Sequence, residues 1–366
     1  MVTRWQVVSG WLVPLGAAAL VLPAGVASAA ESDTSVQQVP AASPTGAASP
    51  DPTTSAAPAG SGQDSTTEAA PSPDPDGKAK DDEGKSSTGK KESAADKPQY
   101  AKERVWFRVS PGDPGKYGVG QLVTLDFGRD IVRKKAVERA IRVKSHKALP
   151  PGAWGWIDGN TAVYRPKRFW PANAKIKFSV NLRGVVLAQE GTTRFVGSGN
   201  KNFTLRTARS FVLRIRDSKH RLYVERDGRT IKSFPVSLGK PEGGYRTRSG
   251  IKILTGEKYS RLRMTGTDRG TGESWDVISP YSIRLTPTGE FIHGAPWAYS
   301  RMGRWNGSHG CTNMYIADAK WLYNRVMRGD PTVTTGTGRP MEVTNGTPGA
   351  YWNYTWKQWR AKSALK

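Results

Sequence analysis

The 366-residue chain carries 55 Lys and Arg against 31 Asp and Glu, a formal charge of +24, with 37% hydrophobic residues and a single cysteine. That length allows two or three domains, but so low an apolar fraction means that part of the chain cannot be core. One cysteine excludes an internal disulfide and leaves two uses for the thiol, as an inert small hydrophobe or as a reactive group.

Residues 1–29 place one early basic residue, Arg4, before an apolar stretch around Trp11 to Leu22, then Pro23, Gly25 and the small residues Ala27, Ser28 and Ala29. That order predicts a signal peptide and a secreted protein at the cell wall or the outer face of the cytoplasmic membrane. The alternative is a retained anchor, although the run is short for a membrane span and is interrupted by Pro14 and Pro23. No cysteine lies at the cleavage site to take a lipid. A basic body outside the membrane meets anionic cell-wall polymers and carboxylate-rich peptidoglycan rather than nucleic acid.

Residues 30–102 read as a disordered linker. From Glu31 to Pro98 there are twelve acids, six lysines and no aromatic residue. Such a composition buries too little apolar surface to offset the entropy of ordering. A flexible chain of this length would reach about 45 Å, at roughly 5–6 Å times the square root of the residue number. The reading leaves open whether that reach serves any function.

Residues 103–208 read as all-β. Ile176, Phe178, Val180 and Leu182 alternate with Lys175, Lys177, Ser179 and Asn181, and Val123, Leu125 and Phe127 alternate likewise, as half-buried strands do. Turn formers recur at Pro150-Pro151-Gly152, Asp158-Gly159-Asn160 and Pro171-Ala172-Asn173, so a β-sandwich is expected. Trp154, Trp156 and Trp170 suit core packing better than the other use open to them, a sugar-binding surface.

Residues 209–345 begin a second β-rich unit. Asp227-Gly228 separates two strand-like runs as a hairpin turn, and Ala317 to Met327 spaces Ala319, Leu322, Tyr323 and Val326 helically with Asp318 in the first turn. Between them, Phe291-Ile292-His293-Gly294-Ala295-Pro296-Trp297 and Gly307-Ser308-His309-Gly310-Cys311-Thr312-Asn313 bring two of the four histidines within eighteen residues of the only cysteine. A thiol that forms an acyl-enzyme needs an imidazole to take its proton and donors to hold an oxyanion. Both histidines are candidates. His309 lies only two residues from Cys311, whereas His293 approaches across a loop and is the expected base. Gly310 permits close approach of substrate, with Ser308, His309 and Asn313 orienting the loop or binding substrate amides. Two other readings stand beside this one. His293, His309 and Cys311 suit zinc, but there is no second cysteine and the nearest later carboxylate is Asp318. An inert buried thiol fits poorly with the Gly, Ser and Asn around it. No metal or cofactor is expected.

The run from His293-Gly294 through Ser308-His309-Gly310-Cys311-Thr312-Asn313 resembles the signature of the L,D-transpeptidase catalytic domain, also called YkuD-type. The likeness continues through Ala317-Asp318-Ala319, Trp321-Leu322-Tyr323 and Arg328-Gly329-Asp330. The preceding segment, with Trp154-Gly155-Trp156 and Tyr164-Arg165-Pro166, is similar to the immunoglobulin-like domain of actinobacterial members. Residues 346–366, with Trp352, Trp356 and Trp359, resemble their aromatic C-terminal extension. The resemblance implies a cysteine acyltransferase acting on peptidoglycan tetrapeptide stems. Cys311 would be the nucleophile, His293 the base and the Gly294 carbonyl its orienter, with Ser308, His309, Gly310 and Asn313 completing the site. It implies release of D-Ala, 3→3 cross-links and inhibition by carbapenem β-lactams. A carboxypeptidase and a non-catalytic wall-binding protein are the alternatives. Where many members have Thr-Pro-x-Gly, this chain has Arg248-Ser249-Gly250. Tyr281 or Tyr259 stands in for a tyrosine over the active site, and Met264 for a lid residue.

Overall fold

Strand alternation sets the first layer pair. In Lys175–Asn181 the side chains of Ile176, Phe178 and Val180 are fully buried while Lys175 and Lys177 face solvent, because successive residues of a strand point to opposite faces. This strand lies between Asn200–Thr207 and Ile141–Ser145, and Lys116–Tyr117 completes the sheet. Facing it, Phe107–Ser110, Val123–Phe127, Thr161–Pro166 and Gly152–Trp156 form a second four-stranded sheet. A three-stranded sheet of Val186–Glu190, Thr193–Gly197 and Ala101–Val105 flanks them. The tryptophans are core: Trp154 meets the Tyr164 ring edge-on at 5.2 Å and Trp170 stacks on it at 5.9 Å. The computed structural model describes residues 36–38, 99–112, 114–343, 347 and 349–366, so the expected signal segment and most of the linker lie outside the described residues.

The second unit has two five-stranded sheets. One is ordered Arg229–Pro235, Arg221–Arg226, Phe211–Arg216, Pro331–Thr335, Gly250–Ile253. Its first hairpin turns at Asp227 and Gly228, both at positive φ (49° and 86°), the conformation that a tight two-residue turn requires. The other is ordered Val36–Gln38, Lys258–Thr267, Ser274–Arg284, Phe291–Gly294, Thr312–Met314. Its long central pair, Lys258–Thr267 and Ser274–Arg284, is an antiparallel hairpin. Val36–Gln38 adds by backbone pairing to the outer edge of that hairpin, Val36 opposite Met264. The helix expected from Ala317 runs Ile316–Tyr323 and buries Ala319 and Leu322.

The C-terminal residues join the two units. Trp352 donates its indole N–H to the Gly120 carbonyl at 2.9 Å, and the fully buried Trp359 donates to Ala153 at 3.1 Å. Arg165 reaches from the sandwich to the Tyr351 and Tyr354 carbonyls, both at 2.9 Å. The short helix Trp356–Ala361 starts with a capping box in which Thr355 and Gln358 satisfy each other's backbone N–H groups.

Candidate active site

The strand Phe291–Gly294 and the strand Thr312–Met314 are parallel neighbours, with Ile292 opposite Thr312, His293 opposite Asn313 and Gly294 opposite Met314. Side chains of paired residues leave a sheet on the same side, and the side alternates along each strand. The packing shows which side is which. Ile292 and Met314 enter the core beneath the helix Ile316–Tyr323, whereas Phe291 and Cys311 share a smaller apolar cluster with Leu262, Met264 and Trp275. Cys311, one residue before the paired strand, therefore stands on the same face as His293 and diagonal to it. Gly294 leaves room behind the histidine, since a Cβ there would lie 2.9 Å from Pro280 and 3.2 Å from Ile316.

His293 is 3% exposed, and its Nδ1 lies 2.9 Å from the Gly294 carbonyl. A carbonyl only accepts, so Nδ1 carries the proton and Nε2 is left as the free base. Burial drives the imidazole pKa down from 6.5 to about 4, against the opposing pull of the Gly294 bond. The Cys311 thiol is pushed up to about 12, chiefly by burial and further by the Glu290 carboxylate, with backbone hydrogen bonding at Phe291 opposing. Its sulfur, partly buried, lies 3.6 Å from the Gly289 carbonyl. The resting pair is thus a neutral thiol and a neutral imidazole.

The loop that carries Cys311 is strapped from behind. Gly310 has φ +121°, which side chains disfavour. Its carbonyl accepts from the buried Thr247 hydroxyl at 2.8 Å. Ser308 donates to the Cys311 carbonyl at 2.6 Å and accepts the Gly310 N–H at 3.1 Å. Ser308 therefore sets the loop's shape, and the Gly310 N–H is committed to it rather than to an oxyanion. Asn313 pairs its backbone with Ser237, and its buried Oδ1, on the His293 side of the sheet, has no hydrogen-bond partner among the described residues.

His309 turns away from this work. Its Nε2 is 2.7 Å from Asp268 Oδ2, its ring stacks on Trp275 at 5.3 Å, and Tyr245 meets it edge-on at 4.7 Å. Met264 sits in the apolar cluster with Cys311, as does Tyr259. Tyr281 does not: with φ +52° its ring turns to Tyr323, 5.6 Å away on the helix side, and the aromatics in the cluster with the sulfur and Met264 are Tyr259, Trp275 and Phe291. No cluster of three or more His, Cys, Asp or Glu able to hold a metal occurs among the described residues.

Sequence reasoning missed several contributors. Glu290, 4% exposed, is paired at 3.1 Å with both Arg248 and the fully buried Lys252. Lys252 also donates to the Arg248 carbonyl at 2.5 Å. The departure at Arg248-Ser249-Gly250 thus supplies one cation of a buried ion cluster behind the Cys311 loop. Asp268, Lys240, Tyr245 and Trp275 likewise carried no signal, because what joins them is contact between loops distant in sequence.

Residues 210–334 match the family described as the L,D-transpeptidase catalytic domain, YkuD. That span contains both the His293 and Cys311 strands. Residues 210–334 form a YkuD-type L,D-transpeptidase catalytic domain. A bacterial immunoglobulin domain matches residues 62–186 and leaves Thr193–Gly197, Asn200–Thr207 and all but the first residue of Val186–Glu190 beyond its end. Together these two domains relate the chain to mycobacterial L,D-transpeptidases. One relative, L,D-transpeptidase 2 of Mycobacterium tuberculosis, is 32% identical over 263 residues, which cover 70% of this chain and 62% of that protein. The match thus spans less than two thirds of that protein's length. An L,D-transpeptidase structure from Mycobacterium smegmatis superposes with a TM-score of 0.51 at 25% identity, covering 64% of this chain and 100% of that one. A second, solved in complex with imipenem, gives 0.51 at 26% identity and covers 62% and 97%.

Proposed function

We propose that the chain is an exported peptidoglycan L,D-transpeptidase that forms 3→3 cross-links through a Cys311 acyl-enzyme. The observation that carries this reading is the shared face of Cys311 and His293, with the Gly294 carbonyl fixing the imidazole tautomer so that Nε2 is free to accept a proton. As a tetrapeptide stem docks, the thiol proton passes to Nε2 and the sulfur attacks the carbonyl between the third residue and the terminal D-Ala. The tetrahedral intermediate collapses, the carbon–nitrogen bond breaks, and His293 returns the proton to the departing D-Ala amine. A side-chain amine on the third residue of a second stem then attacks the thioester. Its surplus proton reaches the leaving thiolate through His293, which restores the resting pair.

Ser308 and Gly310 hold the loop, Asn313 offers its amide to the stem backbone, and Met264 forms part of the apolar wall. The basic surface would hold the enzyme against anionic wall polymers, and the linker would give it reach from the membrane. A carbapenem would acylate Cys311 as a stem does, a reading supported by the imipenem complex of the related structure.

Intact-mass spectrometry tests the proposal. The wild type incubated with a disaccharide-tetrapeptide should gain the acyl mass and release D-Ala, and a carbapenem should add its own mass. Cys311→Ala should show neither, and His293→Ala should lose most turnover with an unaltered circular dichroism spectrum. Turnover surviving in Cys311→Ala refutes the assignment. A water acceptor that outcompetes an added amine shifts it to a carboxypeptidase.

A further inference from the structure

The hairpin Lys258–Thr267/Ser274–Arg284 places Met264 and Trp275 in the apolar cluster with Cys311, yet its tip is held by something other than apolar contact. At that tip one carboxylate does two things. Asp268 Oδ1 accepts the N–H groups of Gly270 and Thr271, at 2.8 and 3.2 Å, and so closes the turn. Asp268 Oδ2 leaves the hairpin and meets both His309 Nε2, at 2.7 Å, and the Lys240 ammonium.

Both partners belong to the nucleophile platform. His309 lies two residues before Cys311. Lys240 donates its backbone N–H to Ser308 at 2.9 Å, beside the bridge between Gly239 and Ser308. The aromatic groups follow the same line: Trp275 of the hairpin stacks on His309, and the Tyr245 hydroxyl accepts the Arg269 N–H at 2.5 Å at the hairpin tip. Asp268 is 5% exposed, and its hydrogen bonds from Lys240 and His309 hold its carboxyl well below the usual carboxylate range.

We propose that Asp268 is a positioning residue, acting through His309 and Lys240, that latches the hairpin over Cys311 and keeps the wall of Met264 and Trp275 in place for the acyl donor. The role rests on the transpeptidase reading of the site. It gives His309 a use distinct from proton transfer. It also makes the hairpin the moving part and the nucleophile loop the fixed one, because that loop is strapped by Thr247, Ser308 and the Leu238 carbonyl besides. Hydrogen bonds to an ionised group are among the strongest in water, so losing the charge alone should free the tip.

Asp268→Asn, His309→Gln and the double variant test this, with Asp276→Asn as control, since Asp276 pairs with Arg263 on the same hairpin but in solvent. Asn keeps an Oδ1 to close the turn, and so removes the latch without removing the turn. Two quantities are measured: amide hydrogen exchange across residues 262–279, and the rate at which a carbapenem adds covalently to Cys311 over a range of concentrations. Exchange should rise about tenfold or more in each single variant. The half-saturating carbapenem concentration should rise with it, more than the saturating rate falls. The double variant should be no worse than the poorer single one, and Asp276→Asn should match wild type.

Exchange that stays at the wild-type rate overturns the latch, whether or not acylation falls. So does faster exchange with unchanged acylation, or a double variant whose losses multiply. A wild type that forms no adduct would instead sink the transpeptidase reading, and the exchange arm would still decide whether the hairpin is latched.

Discussion

The buried, neutral His293 makes stability depend on pH in a way that can be isolated. Its pKa falls from 6.5 in an unstructured chain to about 4 in the folded site, chiefly through burial. Between those values the unfolded chain binds a proton that the folded one refuses, so stability must drop as the pH falls through the window from 6.5 towards 4. A tenfold difference in proton affinity between the two states is worth about 1.4 kcal/mol, so lowering the pH from about 7 to about 4.5 should remove roughly 2 kcal/mol. His293→Gln keeps a donor for the Gly294 carbonyl but cannot titrate. Urea unfolding of both proteins at the two pH values gives the difference, whatever the substitution itself costs. Asp330, pushed up to about 6 mainly by burial, acts in the opposite sense over part of this range, but it does so in both proteins and cancels. Equal losses in wild type and variant would show that His293 is not held neutral by its surroundings, and the proton-acceptor role would lose its basis.

Two further outcomes follow from the packing. Lys252→Met should destabilise by about 3–5 kcal/mol, because it strips a buried carboxylate of one of its cations. Adding Glu290→Leu should recover part of that loss, and melting temperatures that do not separate the single from the double variant would contradict the charge argument. Trp359→Ala should cost about 3–5 kcal/mol by opening a cavity where the indole packs against Gly155. Below the lowered melting point its carbapenem adduct should still form, as mass spectrometry would report, since Trp359 lies among sandwich and C-terminal residues.

Much of the fold was legible because it is periodic. The two-residue alternation around Phe178 and Val180 survives as a sandwich face, the Asp227-Gly228 pair turns a hairpin, and the spacing of Ala319 and Leu322 gives the short helix. The pairing of His293 with Cys311 was legible because both lie in compact runs rich in Gly and small polar residues. Its surroundings were not. Trp275 reads as one more aromatic in a strand, and only the register of the hairpin and the turn at Asp268 put it on His309. Tyr281 lies close to His293 in sequence, but its positive φ sends the ring to the opposite face. Glu290 and Lys252, 38 positions apart by their numbering, meet through sheet-to-sheet packing that no local pattern records.

On the proposed mechanism, the burial that raises the Cys311 thiol keeps the sulfur neutral until an acyl donor binds. A thiolate reacts with oxidants and electrophiles, whereas a neutral thiol scarcely does, and this chain holds one cysteine with no second to pair with. With the sulfur pushed up to about 12 and the imidazole drawn down to about 4, charge separation between the two groups is unfavourable on both sides. A carbonyl placed against the sulfur changes the balance, because the negative charge then moves on to an oxygen while the proton stays on His293. Reactivity therefore waits for a ligand that both excludes water and offers an electrophilic carbon. Glu290 reinforces this restraint by placing a negative charge behind the sulfur, while Arg248 and Lys252 limit how far it is felt. On the transpeptidase reading, the ion cluster to which Arg248 contributes would set how sharply Cys311 discriminates between a bound acyl donor and everything else that reaches it.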